Sequence, residues 1–262
     1  MRRILFLCAV VFSSCAGFAE KNPASTASGS ADKPELWIDR GHLVSGPGRG
    51  TLVVIGVSGR MRNAESEIDS ALDDAARQIA LYRGLKGKVV TVIRTGSGYH
   101  DFYLAAESEL KPLDEGAYAA YRKALRFDRE KDLVRTDQAV FLRCVYDVPG
   151  LLPVKHNRIT GGREPAWIHG GIVEIPGYIS AVGFAKNQRY LNETIVRSRE
   201  SAAAALLARD SVYIETIIQD QLNMETIDRE TIEGELFHFM VLETWIEPET
   251  GSVWTLAAAK KN

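Results

Sequence analysis

The chain has 262 residues, of which 45% are hydrophobic and 25% are charged, so it can bury one large core or two small ones. Its 32 basic and 34 acidic side chains give a formal charge of −2, which excludes the strongly basic field typical of nucleic-acid-binding proteins. No nucleic acid is therefore expected as a partner.

The first nineteen residues are predicted to be a signal peptide. Two arginines precede an apolar run at residues 4–12, which is far shorter than the ~20 residues that span a bilayer. Two cleavage sites remain open. Residues 13–15 resemble the end of a bacterial lipobox, and cleavage before Cys15 would leave that cysteine as a diacylated lipid anchor. Cleavage after Ala19 fits ordinary signal peptidase and would release a soluble periplasmic or secreted protein.

A short polar segment separates the signal from the folded part. Residues 20–33 are rich in serine and alanine and show no apolar periodicity, so they are predicted to form a flexible tether. A repeated motif follows, because Trp37 in PELWIDRG and Trp167 in EPAWIHGG have the same surroundings 130 residues apart. This spacing is about half of the chain and indicates a duplication.

After Trp37, the first copy reads as strand, helix and strand. The runs at residues 51–60 and 88–95 are apolar or β-branched and predict strands. Apolar residues at three- and four-residue steps between them predict an amphipathic helix: Ile68, Ala71, Leu72, Ala75, Ala76 and Ile79. An insertion at residues 99–135, with a helix near 117–125, leads to a further strand at 139–148.

The second copy repeats this order. Residues 178–187 predict a strand, and Asn192 is a candidate N-cap for the helix that follows. That helix has a similar apolar face: Ile195, Ala202, Ala203, Leu206 and Leu207. A strand is predicted at 211–219, after which a polar segment at 220–231 leads into one long strand, a turn at 248–251 and a return strand.

The repeated order predicts an α+β fold made of two tandem β-α-β-β-like modules. Each module is expected to be an alanine-rich helix packed on a small, mostly antiparallel sheet. Gly56 and Gly183 occupy matching positions 127 residues apart. We place the first module, with its helical insertion, at residues 34–150, a linker at 151–163 and the second module at 164–262, and we expect the second module to fold alone.

These motifs resemble a known family. The order of Pro-x-Trp, strand, alanine-rich helix and VLETWIEPETGSVWTLAAA is similar to the Lpp-twenty family of bacterial envelope lipoproteins. The module also resembles the amino-terminal domain of flagellar outer-membrane assembly proteins such as FlgP and FlgT. The residues that carry the likeness are Trp167, Gly183, Ala202, Ala203, Trp245, Gly251 and Leu256. The resemblance implies an envelope-associated, noncatalytic module.

Residues that could carry chemistry are isolated along the chain. The five histidines have no metal-ligand spacing: His42, His100, His156, His169 and His238. His238 alternates with Leu236 and Met240 and is expected within a strand. His100 precedes Asp101, but the sequence lacks the Gly-x-Ser-x-Gly elbow that would supply a nucleophile. We therefore expect no catalytic residue, no metal and no cofactor.

The remaining polar or reactive residues have simple structural interpretations. Cys144 lies in an apolar run and is expected to be a buried, structural thiol. Trp37 and Trp167 are expected to pack over the sheets. Three carboxylates are expected on the solvated face of the first helix: Asp69, Asp73 and Asp74.

Two functional classes follow. The first is a noncatalytic binding or scaffold lipoprotein of the bacterial envelope, for example in outer-membrane or flagellar assembly. Such a protein would be anchored through Cys15, would face the periplasm or the surface, and would bind a protein partner or itself. The second is a periplasmic enzyme or small-ligand binder that uses a cleft between the modules. A dry, alanine-packed junction with an exposed sheet edge favours the first class, whereas a buried polar pocket favours the second.

Overall fold

The computed structural model describes residues 50–96, 99–104, 109–149, 151, 157–169, 175–210 and 226–260. The predicted signal with Cys15, the tether, Trp37 and the strand predicted at 211–219 lie outside these ranges. The described residues belong to one compact unit. Within them, every helix is too short or too polar to cross a membrane.

The described residues form three helices and eleven strands. The first half contains β1 (Thr51–Gly59), α1 (Ala64–Arg83), β2 (Leu85–Gly96), β3 (Tyr99–Leu104), β4 (Glu109–Pro112), α2 (Tyr118–Ala124), β5 (Leu133–Arg135) and β6 (Ala139–Asp147). The second half contains β7 (Arg158–Thr160), a 3-10 turn (Ala166–His169), β8 (Tyr178–Ala185), α3 (Leu191–Asp210), β9 (Thr226–Leu236), β10 (Met240–Ile246) and β11 (Val253–Lys260). The predicted α+β fold is confirmed.

The strands form three sheets, of which two belong to one module each. The first sheet has the order β1-β6-β5, and the second has the order β7-β10-β11-β8, in which only the β7–β10 pair is parallel. The third sheet is shared, because β2 has β9 on one side and β3 and β4 on the other. Leu85 lies opposite Leu236, and Thr95 lies opposite Thr226. The two modules are therefore joined by a strand pair that includes one strand from each.

Each long helix packs closely on its own sheet, and a glycine makes this possible. A Cβ atom on Gly56 would lie 1.9 Å from the carbonyl oxygen of Ala71 in α1. A Cβ atom on Gly183 would lie 2.2 Å from the carbonyl oxygen of Ser198 in α3. Ala71 and Ser198 are again 127 residues apart, so the two modules repeat the same helix-to-strand contact at matching positions.

The starts of α1 and α3 are also secured in matching ways. The N–H of Met61 donates to Glu67 Oε1 at 3.0 Å, and the N–H of Gln188 donates to Thr194 Oγ1 at 3.0 Å, with an offset of 127 for both residues. The prediction of Asn192 as the N-cap is wrong, because α3 begins at Leu191. Instead, the hydroxyl of Thr194 accepts a hydrogen bond from the N–H of Gln188 in the preceding loop.

Three other predictions are corrected by the strand pairing. Residues 151–163, expected to be a linker, contribute β7, which pairs with β10. The segment 220–231, expected to be a polar excursion, includes the start of β9. The long strand that was expected next is broken at His238, which has a φ of 55° and lies in a turn. The break is required because β9 belongs to the shared sheet and β10 to the second sheet.

Candidate functional site

The most polar buried region lies along the outer edge of β1, where the two modules meet. We call these four side chains the junction cluster: Asp74 and Gln78 from α1, Asn157 before β7, and Arg199 from α3. The N–H of Val57 donates to Asp74 Oδ2 at 2.9 Å. The carbonyl of Ile55 accepts from Gln78 Nε2 and from Arg199 Nη2, both at 2.9 Å. The cluster thus binds backbone groups that an edge strand leaves without a partner.

Contacts within the junction cluster complete the network. Arg199 Nη1 donates to Asp74 Oδ2 at 2.8 Å, and the two side chains are only 6% and 13% exposed. Gln78 Nε2 also donates to Asp74 Oδ2, at 3.1 Å. Asn157 Nδ2 donates to the carbonyl of Val53 at 3.0 Å. Since Asp74 Oδ2 accepts from Val57, Gln78 and Arg199, this oxygen is committed to holding the modules together and is poorly placed to act as a general base.

A narrow crevice lies between α1 and α3, and Asp74, Gln78 and Arg199 of the junction cluster form part of its lining. Its apolar walls come from both modules: Leu81, Leu85, Leu110, Val196, Ala203 and Phe239. The half-exposed ion pair between Arg77 and Glu200, at 3.0 Å, also lines it and connects the two helices. The cavity volume of about 30 Å³ suffices for one or two water molecules, whereas small-molecule sites need roughly 300 Å³ or more.

A wider depression of about 530 Å³ covers the solvent side of the shared sheet. Its lining contains charges of both signs: Lys86, Lys88, Lys111, Glu109, Glu233 and Glu235. Lys88 Nζ lies 2.8 Å from Glu233 Oε1, and both side chains are more than half exposed. Exposed pairs of this kind contribute little binding energy, and the depression has the character of a solvated sheet face.

A second buried carboxylate, Glu67, lies at the start of α1 and is 1% exposed. It accepts from the N–H of Met61 and from Arg60 Nε, and its other oxygen lies 3.1 Å from Arg135 Nε. The hydrogen bond from Met61 and the charges of Arg60 and Arg135 lower the pKa of Glu67 against the opposing effect of burial. As a carboxylate anion, Glu67 therefore joins α1, β5 and the segment that follows β1.

The apolar pattern of α1 does not by itself predict its buried polar residues, although the sequence contains a signal for them. Glu67, Asp74 and Gln78 fall at spacings of seven and four residues, on the same stripe as Ala71 and Ala75. Polar residues on an apolar helical stripe need buried partners. The prediction that Asp74 is solvated is wrong because this side chain faces α3.

Four other residues lie in the surroundings predicted for them: Asp69, Asp73, Cys144 and Trp167. Asp69 and Asp73 are exposed and bind Arg122, each at 2.8 Å, as expected of a solvated face. Cys144 is buried in β6, and burial raises its pKa to about 12, which confirms a structural thiol. Trp167 is 8% exposed and packs in the core, as expected.

The histidines do not assemble into a site in the described part of the chain. His238 stacks on Tyr82 with ring centroids 5.0 Å apart, and burial, followed by the charges of Lys260 and Arg83, lowers its pKa. His169 is exposed and pairs with Glu164. Neither the position of His42 nor that of His156 is among the described residues, and for His100 and Asp101 only the backbone of β3 is described. Among the residues that the structure describes, no three or more His, Cys, Asp or Glu side chains lie close enough together to hold a metal ion.

Comparison with known proteins leaves the family open. No protein-family model matches this chain, and no curated protein or solved structure is significantly similar to it. The resemblance to Lpp-twenty lipoproteins, based on the motifs above, therefore stays a prediction. The same holds for the lipid anchor at Cys15, which lies outside the described residues.

Proposed function

We propose that the protein is a noncatalytic binding or scaffold module of the bacterial envelope, attached to a membrane through a lipid on Cys15. The observation that carries this proposal is the commitment of the junction cluster to backbone groups and to its own members. Polar residues used in this way stabilise a fold, and an Asp74 oxygen that already accepts from three donors is poorly placed to act as a general base.

The same observation bears on the alternative of a cleft enzyme or small-ligand binder. Such a protein would place its polar groups toward a cavity large enough for a substrate. At the module junction, Asp74, Gln78 and Arg199 bind the edge of β1 and also line the adjacent cavity, which is only water-sized. The junction is not the dry, alanine-packed contact expected of a binding module, but its cavity is too small for a substrate, and this size favours a binding or scaffold role over a cleft enzyme.

The attachment is tested by metabolic labelling with a palmitate analogue. Two acyl chains, at ~0.8 kcal/mol per buried CH₂, suffice for stable membrane attachment. The wild-type chain is expected to be labelled and to fractionate with membranes, whereas Cys15→Ala is not labelled. An unlabelled wild-type protein that begins at Glu20 would refute the anchor and indicate a soluble periplasmic protein.

The noncatalytic role is tested separately by crosslinking intact envelopes and recovering the chain. A reproducible protein partner, lost when Cys15→Ala releases the chain from the membrane, is the expected result. A measured turnover that disappears in His100→Ala or His238→Ala, while the midpoint of thermal unfolding is unchanged, would refute the proposal. In that case a cleft enzyme would be the better description.

A further inference from the structure

β8 is an apolar strand at the edge of its sheet. Its eight residues, YISAVGFA, include no charged residue and no proline, and among the described strands only β11 pairs with it. Phe184 on this strand is 44% exposed. An uncharged edge strand with high β propensity is a template for pairing with a strand of another chain.

Two side chains of α3 close this edge. The N–H of Phe184 donates to Ser201 Oγ at 3.2 Å, and Arg209 Nη1 donates to the carbonyl of Ser180 at 2.7 Å. Alternate residues of a strand direct their backbone groups to the same edge, so the N–H and C=O of Val182 also lie at this edge, although its side chain is partly buried against the core. A second strand would have to displace both side chains before it could form a continuous ladder.

The first module closes the matching edge at a matching position. The N–H of Val57 binds Asp74, and both residues precede Phe184 and Ser201 by 127 positions. The side chains differ in type but make the same contact from the same place on the helix. The repetition argues that this contact belongs to the design of the module and is not incidental.

We infer that Ser201 and Arg209 form a plug that prevents β8 from pairing with β8 of a second copy of the chain. Antiparallel pairing about a two-fold axis through Val182 would place Ser180 of one copy opposite Phe184 of the other. The strand has no charge that would repel its own copy, and among the described residues Ser201 and Arg209 are placed to block this pairing. The plug acts in this way whatever partner the protein has. With the plug in place, β8 is not available for self-assembly.

The test uses the full chain with Cys15→Ala, so that no lipid causes association. Adding Ser201→Ala and Arg209→Ala is expected to produce a concentration-dependent dimer in analytical ultracentrifugation, at concentrations where the parent remains monomeric. Adding Val182→Lys to this variant is expected to restore the monomer, because it places two like charges at the two-fold axis. Thermal unfolding of each variant checks that the fold is retained.

Hydrogen exchange at the Phe184 amide tests the plug without requiring association. Ser201→Ala should exchange this amide at least tenfold faster than the parent, whereas Ser201→Thr, which keeps the acceptor, should not. Alanine is a good helix former, so the single variant is expected to fold. Unchanged exchange of the Phe184 amide in Ser201→Ala would overturn the inference. It would also be overturned if the variant with Ser201→Ala and Arg209→Ala stayed monomeric, or if its dimer persisted after Val182→Lys was added.

Discussion

Replacing Arg199 with methionine should destabilise the protein strongly. Methionine retains much of the side-chain volume but removes the guanidinium that binds Asp74 and the carbonyl of Ile55. Breaking a buried ion pair costs about 3–5 kcal/mol. Asp74 would keep its hydrogen bonds from Gln78 and from the N–H of Val57, so we expect a loss near the lower limit, about 3 kcal/mol. For a chain of this size that corresponds to a fall in Tm of about 6–12 °C.

The assay is urea unfolding of Arg199→Met, compared with Arg77→Met. Arg77 pairs with Glu200 on the same two helices but is 43% exposed, so its loss should cost less than about 1 kcal/mol. In a double-mutant cycle with Asp74→Leu, a coupling energy of at least about 2 kcal/mol is expected. A loss below about 1 kcal/mol for Arg199→Met, or additive single variants, would show that this ion pair does not hold the modules together.

Three further predictions follow from the packing. Because the pKa of Glu67 is lowered in the folded state, its contribution to stability is complete above the unfolded-state value near 4.5 and is lost as pH falls through the folded-state value. The variant Glu67→Thr, which copies Thr194, should therefore approach the stability of the wild type as the pH is lowered from about 7 to about 3. Urea unfolding measures this difference. Ala203→Val should partly fill the crevice and raise the unfolding free energy by about 1 kcal/mol relative to Ala205→Val, which does not line it. An isolated fragment of residues 164–262 should lack a cooperative thermal transition in circular dichroism, because β9 loses β2.

Each of these predictions has a contrary outcome. A stability difference between wild type and Glu67→Thr that stays constant across that pH range would show that the charge of Glu67 does not stabilise the fold. A lower unfolding free energy for Ala203→Val than for Ala205→Val would indicate a bound water beside Arg199, whose Nε is buried without a protein partner. Cooperative unfolding of the fragment would restore the original expectation of an independent second module.

The sequence predicts those parts of the fold that depend on local periodicity. α1 and α3 follow from apolar residues at three- and four-residue steps, and their packing on β1 and β8 follows from glycines at matching positions. These elements are set by interactions between residues close in sequence or repeated in both copies. Local patterns were therefore sufficient for the α+β class and for the repeated helix-on-strand contact.

The junction between the modules could not be predicted in the same way. Arg199 and Asp74 are 125 residues apart, and neither lies in a motif with a fixed spacing. The pairing of β9 with β2 is also long-range, and the turn at His238 depends on it. A polar residue on an apolar stripe shows that a partner is needed, but one sequence does not show which distant residue supplies it.

The shared sheet imposes an order on folding. Leu236 follows its partner Leu85 by about 150 residues, so the loop closed by this strand pair contains more than half of the chain. Long-range strand pairs of this kind close late and slow the overall folding rate. Until the pair forms, β2 has one edge without β9, so the two modules cannot join through the shared sheet before the second module has been added to the first.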